Sequence, residues 1–151
     1  MSANLTSGDV CEIAELEPSV FDDWCRKGIV KPQEGGEGQG NHRKFSLMQV
    51  VGLVVALQIK NSERGCVLPY VGKVVEAFGA ITELELLKQI DKGKTHFVEP
   101  HKGKPLLQEP EVFWPNVKQI HRNVTDSIAN ITSRLKATGG RLRGLAGANN
   151  K

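Results

Sequence analysis

Long apolar runs are missing from this chain of 151 residues. A membrane-spanning helix takes roughly 18 to 20 consecutive apolar residues. The longest candidate, residues 48–59, is shorter than that and is interrupted by Gln49, Gly52 and Gln58, so a bilayer is not among the expected partners. The N-terminal residues show no basic start followed by an apolar stretch, hence no secretory leader, and the expected compartment is the cytoplasm. Cysteine is scarce as well. Cys11, Cys25 and Cys66 are odd in number and scattered, which argues against a disulfide framework and for small reduced core residues. Even with His42 they lack the spacing of a zinc site, so neither a metal nor a cofactor is expected. No serine, histidine and acid grouping and no paired carboxylates suggest catalysis, and the chain is not read as an enzyme. The glycines at 36, 38 and 40 are followed by no Gly-Lys-Ser/Thr and open no helix, which rejects a nucleotide-binding loop. His96 and His101 read as plain surface, and Trp24 reads as core rather than as a stacking platform.

What is present is a chain of folded composition, 39% apolar and 25% charged, long enough for one ordinary domain or two very small ones sharing a helix. The formal net charge is only +3, yet its distribution is uneven. Residues 1–23 hold Asp9, Glu12, Glu15, Glu17, Asp22 and Asp23 without a single Lys or Arg. The sign then reverses, with Arg26, Lys27, Lys31, Arg43, Lys44, Lys60, Arg64 and Lys73 outweighing Glu34, Glu37 and Glu63. A second basic zone closes the chain, from Lys118 to Lys151, opposed only by Asp126. Two basic regions flank a mixed, slightly acidic middle, and this asymmetry says more than the total.

Helical periodicity and its punctuation give the order of elements. Ser7 is a candidate cap for a first helix over residues 8–16, carrying Val10, Ile13 and Ala14 on one side. Pro18 opens a second over residues 18–27, where Val20, Phe21, Trp24 and Cys25 recur at helical spacing and Gly28 supplies a left-handed end. A glycine-rich stretch over residues 33–41 then leads into His42, Arg43, Lys44 and Phe45, the pattern of a hairpin tip and its return strand. Ser46 caps a helix apolar around most of its circumference, which places it at the centre of a core. A fourth helix follows over residues 68–78, then a short helix or strand near Leu84 to Ile90 and a small hairpin over residues 95–108 turning at Lys102 and Gly103. Beyond Pro115, the residues Val117, Ile120, Val124, Ile128, Ile131 and Leu135 form one narrow helical seam of the kind that suits a partner helix.

In this order the chain resembles the winged helix-turn-helix module of the MerR-like transcription regulators. The resemblance is carried by residues 9–14 (DVCEIA), 18–32 (PSVFDDWCRKGIVKP) and 41–46 (NHRKFS) together with the helix behind them, and it covers roughly residues 6–78. It implies a mainly α fold with a winged helix-turn-helix DNA-binding domain over residues 1–78 and a connecting segment with a hairpin over 79–111. It also implies a dimerisation helix over 112–138, a coiled coil between two copies; the glycines and basic residues that follow read on their own as a flexible tail over 139–151. The expected partner is double-stranded DNA. The expected activity is transcription regulation by a homodimer on an inverted-repeat operator.

Groove dimensions support such an assignment on their own terms, because the DNA major groove admits one helix while a second crosses the backbone and fixes its angle. The second helix is the reader by position, with Ser19, Asp22, Arg26 and Lys27 off its apolar face. Arg26 is the candidate for a guanine or phosphate contact because its planar fork matches paired acceptors. Relatives commonly carry a basic residue where Asp22 stands. An anion there costs affinity near phosphates unless Arg26 pairs with it or it accepts from a cytosine amino group. His42, Arg43 and Lys44 are expected to meet the phosphate backbone or the minor groove. A second DNA-binding reading is an excisionase-like or phage architectural factor, which binds repeated sites in tandem and needs no long dimer seam. A third, outside that class, is a protein-interaction adaptor with no DNA role.

Overall fold

The computed structural model describes residues 5–35, 43–98, 107–109 and 115–137, with the side chains of 135–137 left aside. Among these residues the chain forms six helices and one small antiparallel hairpin, a mainly α architecture.

Helix α1 (Ser7–Ala14) begins one residue earlier than its serine cap predicts. The cap is Thr6, whose hydroxyl accepts from the Asp9 amide while the Asp9 carboxylate accepts from the Thr6 amide, both at 3.1 Å. This reciprocal box needs an acceptor side chain three residues after the cap. Asp9 meets that requirement for Thr6, whereas Ser7 would find only Val10. Helix α2 (Pro18–Arg26) starts on its proline and buries Phe21 and Trp24. Gly28 turns the chain away at φ +77°, a conformation that suits a residue without Cβ, and the Ile29 amide then donates back to the Trp24 carbonyl at 2.9 Å.

Three short stretches meet beside α2. Lys44 exchanges backbone hydrogen bonds with Glu34, and the next residue, Phe45, does so with Leu5 on the opposite side. The chain returning from the glycine-rich stretch is thereby held between its own outgoing limb and the residue just before α1. Phe45 is buried with its ring 5.2 Å from that of Phe21, which ties this narrow ribbon to the inner face of α2.

Helix α3 (Leu47–Lys60) follows at once from Ser46 and its capping box with Gln49. It is apolar nearly all round and correspondingly buried, from Met48 through Ile59, with Val51, Val55 and Ala56 fully enclosed. Such a helix needs cover on several sides. Helix α4 (Leu68–Gly79) supplies one, approaching so closely that a Cβ on Gly52 would lie 2.8 Å from that of Phe78. Helix α5 (Glu83–Asp91) stands behind a third box, Thr82 with Glu85. Strands β1 (His96–Phe97) and β2 (Leu107–Gln108) pair antiparallel and present the buried Phe97 and Leu107 to the core. The turn anticipated at Lys102 and Gly103 lies outside the described residues.

Helix α6 (Val117–Ala137) supplies the remaining cover, packing on α3 and α1 of its own chain. Val117, Ile120, Val124 and Ile131 are buried there and Ile128 is half-buried. Four of the six residues of the seam expected to meet a second copy are therefore covered by the chain itself. The physical reason lies in α3, whose all-round apolarity needs a narrow stripe to close it. The Leu135 side chain is not among those described, and the tail over 139–151 lies outside the described residues. His121 meets Glu83 of α5 at 2.7 Å and Arg134 pairs with Glu12 of α1, so polar ties flank the stripe. One core cluster runs from Leu5 to Val124, joining α6 to the N-terminal helices instead of setting it apart. No helix among the described residues is long and apolar enough to cross a membrane.

Candidate nucleic-acid interface

Helix α2 has two unlike sides. Phe21 and Trp24 point inward, while Ser19, Arg26 and Lys27 are exposed and Asp22 and Asp23 lie between. Val20, counted on the apolar face by its spacing, is instead 38% exposed and stands beside Ser19 on the outer side. Helix α1 packs against α2 from behind, and among the described residues nothing covers the outer face.

The charges on that face are paired. Asp23 accepts from Lys27 at 3.0 Å one turn on. The Oδ2 of Asp22 accepts from Arg26 at both Nε, 2.9 Å, and Nη2, 2.5 Å. Oδ1 of Asp22 accepts from Arg43 Nη1 at 2.8 Å. The hydrogen bonds from Arg43, then from Arg26, hold the Asp22 carboxyl below the usual aspartate range, and the Arg26 guanidinium is pushed further up by the same carboxylate. The anion at position 22 is thus neutralised within the protein, one of the two ways in which an acidic residue there becomes tolerable near phosphates.

Arg43 departs from expectation. Its side chain is 4% exposed, turned inward to Asp22, and so does not offer a free cation to a phosphate. Its neighbour Lys44 is half-buried at the ribbon, and His42 lies outside the described residues. Of the residues expected to form one surface, the structure brings together Ser19, Asp22, Arg26 and Lys27 on α2, with Arg43 anchoring them from beneath.

Two further lysines, which the sequence pattern places only in the basic middle stretch, belong to this surface. Lys31, on the chain leaving α2, and Lys73, on α4, are exposed and join Lys27 around a groove of about 350 Å³ that also takes in Gln49, Gly72 and Glu76. Its shape depends on two contacts. The Gln49 amide donates to the Lys31 carbonyl at 2.7 Å, and Gly72 lets α4 touch the strand of chain below α2, where a Cβ would fall 2.5 Å from the Ile29 carbonyl oxygen. The available signal was the glycine in α4 at the same height as a lysine, but nothing local says which segment lies against it.

The three thiols are free, Cys11 buried and the other two half-buried. Burial pushes all three above the ordinary thiol range, Cys25 to about 11. Among the described residues no group of three or more His, Cys, Asp or Glu side chains is placed to hold a metal ion. Comparisons with known proteins return no match: no family profile fits the sequence, and no curated protein and no solved structure is significantly similar to it.

Proposed function

We propose that the chain is a DNA-binding regulator of winged helix-turn-helix type, with α2 as the helix that enters the major groove and the ribbon at Lys44 and Phe45 as the base of the wing. The observation that carries it is the outer face of α2, exposed from Ser19 to Lys27 and uncovered while α1 braces the helix from behind. A major groove about 12 Å wide takes a helix presented in this way. Lys27, Lys31 and Lys73 continue the surface past the C-terminal end of α2 and are suited to the phosphates flanking the groove. Val20 offers an apolar contact of the kind a thymine methyl accepts.

One observation favours the architectural reading over the inverted-repeat dimer. Val117, Ile120, Val124 and Ile131 of the seam that would join two copies are buried within the chain, where α6 packs on α3 and α1, so a symmetric dimer through them would have to displace these contacts, whereas a factor binding sites in tandem needs no such seam.

Fluorescence anisotropy with duplex DNA across a salt series tests the proposal. Affinity is expected to fall steeply with salt, and the triple substitution of Lys27, Lys31 and Lys73 by Ala is expected to reduce the slope of log K against log salt by about 3. No binding at low salt removes the case for DNA, and binding that ignores those substitutions removes the surface around the end of α2 as the interface. Footprints on bound sites then separate symmetric from tandem occupancy.

A further inference from the structure

An acidic side chain in the middle of a DNA-facing helix is a cost unless it does something for its neighbours. Asp22 is held from behind. Arg43, at 4% exposure, has no freedom to swing away, and its Nη1 fixes one carboxylate oxygen at 2.8 Å. The other oxygen grips Arg26 by one edge of the guanidinium, taking Nε–H and one hydrogen of Nη2. A guanidinium carries five N–H groups in a rigid plane. With the Nε edge occupied, what remains is the far end, both hydrogens of Nη1 and the second of Nη2. Those two nitrogens offer parallel donors along one line, the arrangement that matches O6 and N7 of a guanine in the major groove. Arg26 itself is 70% exposed, so without Asp22 it would sample many rotamers in water.

Resting on the reading of α2 as the DNA-facing helix, we propose that Asp22 is a positioning residue that sets base preference: anchored by Arg43, it holds Arg26 edge-on so that the free end of the guanidinium reads a guanine. Asp22 does not itself contact the bases. Three donors already converge on its two oxygens, and cytosine recognition by the carboxylate is not required.

The test is selection of bound duplexes from a random pool by the full chain, followed by affinity measurements on the selected site with each base placed in turn at the preferred position. The wild type is expected to select a guanine at one fixed position. Arg26→Lys, which keeps the charge but loses the fork, is expected to lower the preference for that guanine about tenfold. Asp22→Asn leaves an acceptor for Arg43 but turns an amide toward Arg26, and is expected to lower the preference by a similar factor. Its affinity for unrelated DNA should stay equal or rise, because an anion near phosphates is gone. A purely structural role for Asp22 would weaken both sites alike.

Full guanine preference in either variant overturns the proposal. So does a selected cytosine whose preference survives Arg26→Lys. Salt-dependent binding by the wild type with no guanine selected overturns it while leaving DNA binding in place, and no binding to any duplex removes both. Arg26 is exposed, so its substitution keeps the test open should Asp22→Asn fail to fold.

Discussion

Arg43 Nη1 lies 2.8 Å from Asp22 Oδ1, joining residues 21 positions apart, and the two ends of the pair live in different solvents: Arg43 is 4% exposed and Asp22 37%. Among the described residues the Nε of Arg43 has no hydrogen-bond partner. A buried guanidinium incompletely satisfied is a poor source of stability, since its desolvation offsets the attraction to its partner. Removing the charge while keeping the stem is therefore expected to cost little. Arg43→Met should leave the urea midpoint unchanged or raised, because Asp22 remains half in water with Arg26 beside it. Arg43→Ala, which also removes the packed stem, should cost about 2–3 kcal/mol. Equal losses in the two variants would show that the ion pair itself, and not the packing, holds the ribbon to α2.

The same carboxylate predicts a pH dependence of definite sign. An unfolded aspartate titrates at about 3.9, and in the folded chain Arg43 and Arg26 hold Asp22 below that. A carboxyl depressed by folding contributes its stabilisation in full above the unfolded value and loses it as the pH falls through the folded one. The melting temperature of the wild type is thus expected to exceed that of Asp22→Asn by a constant margin from pH 7 to about 5 and by a shrinking margin below about 4. Thermal melts of both proteins across that range check it. A margin that widens in acid would contradict the assigned direction.

Two glycines predict losses where helix propensity alone predicts gains. In a helix, Ala is favoured over Gly by about 1 kcal/mol. Yet a Cβ on Gly52 would sit 2.8 Å from Phe78 Cβ and 3.1 Å from the Val74 carbonyl, and one on Gly72 would sit 2.5 Å from the Ile29 carbonyl. Backbone atoms cannot move aside as a side-chain tip can. Gly52→Ala and Gly72→Ala are each expected to destabilise by about 1–3 kcal/mol, read from denaturant unfolding. Gly72→Ala should in addition weaken DNA binding by pushing α4, with Lys73, away from the end of α2. A stable Gly72→Ala protein would mean that the contact with Ile29 is loose.

How much of this was legible in the sequence follows from how local each signal is. The bounds of α2 are written in Pro18 and Gly28, and that of α3 in Ser46, because a cap or a breaker acts within one turn. The all-round apolar pattern of α3 likewise placed it at the centre. The apolar stripe of α6 was equally plain, but a stripe does not say what covers it, and its cover proved to be α3 of the same chain. Arg43 reads as part of a basic cluster with its neighbours His42 and Lys44. Its direction is decided by Asp22 on another helix, which no local pattern encodes. Lys31 and Lys73 come to line one groove for the same reason, through Gly72 and the chain below α2. The outward turn of Val20 belongs to this set too: spacing groups it with Phe21, Trp24 and Cys25, which do pack on the core, but whether the residue at the edge of that face is covered depends on other elements.

The thiols offer a check on burial that is independent of any nucleic acid. Cys25 lies on α2 behind the proposed reading face, and burial raises it to about 11. The thiolate is the nucleophile, so at pH 8 only about one Cys25 in a thousand is reactive, against about a quarter of free cysteine. Alkylation of the folded protein by iodoacetamide is expected to be slower at Cys25 than in urea by about two orders of magnitude, followed site by site by mass spectrometry. Rapid folded-state labelling of Cys25 would mean that α2 detaches readily from its core.

The seam of α6 gives the sharpest test of where its partner lies. Ile120 and Val124 are each 2% exposed within a single chain, so their loss removes contacts made inside one molecule. Ile120→Ala is expected to cost about 2–5 kcal/mol, as for any large aliphatic side chain cut from a packed core. Because the contact is internal, the thermal midpoints of wild type and variant should not change between protein concentrations about a hundredfold apart, whereas folding linked to association through this seam would raise both with concentration. Val124→Asp, which places a charge against α3, is then expected to unfold the chain rather than release a folded monomer, visible as loss of helical circular dichroism. A Val124→Asp protein that stays folded and merely halves its mass in sedimentation would return the seam to the boundary between two copies, and with it the symmetric operator.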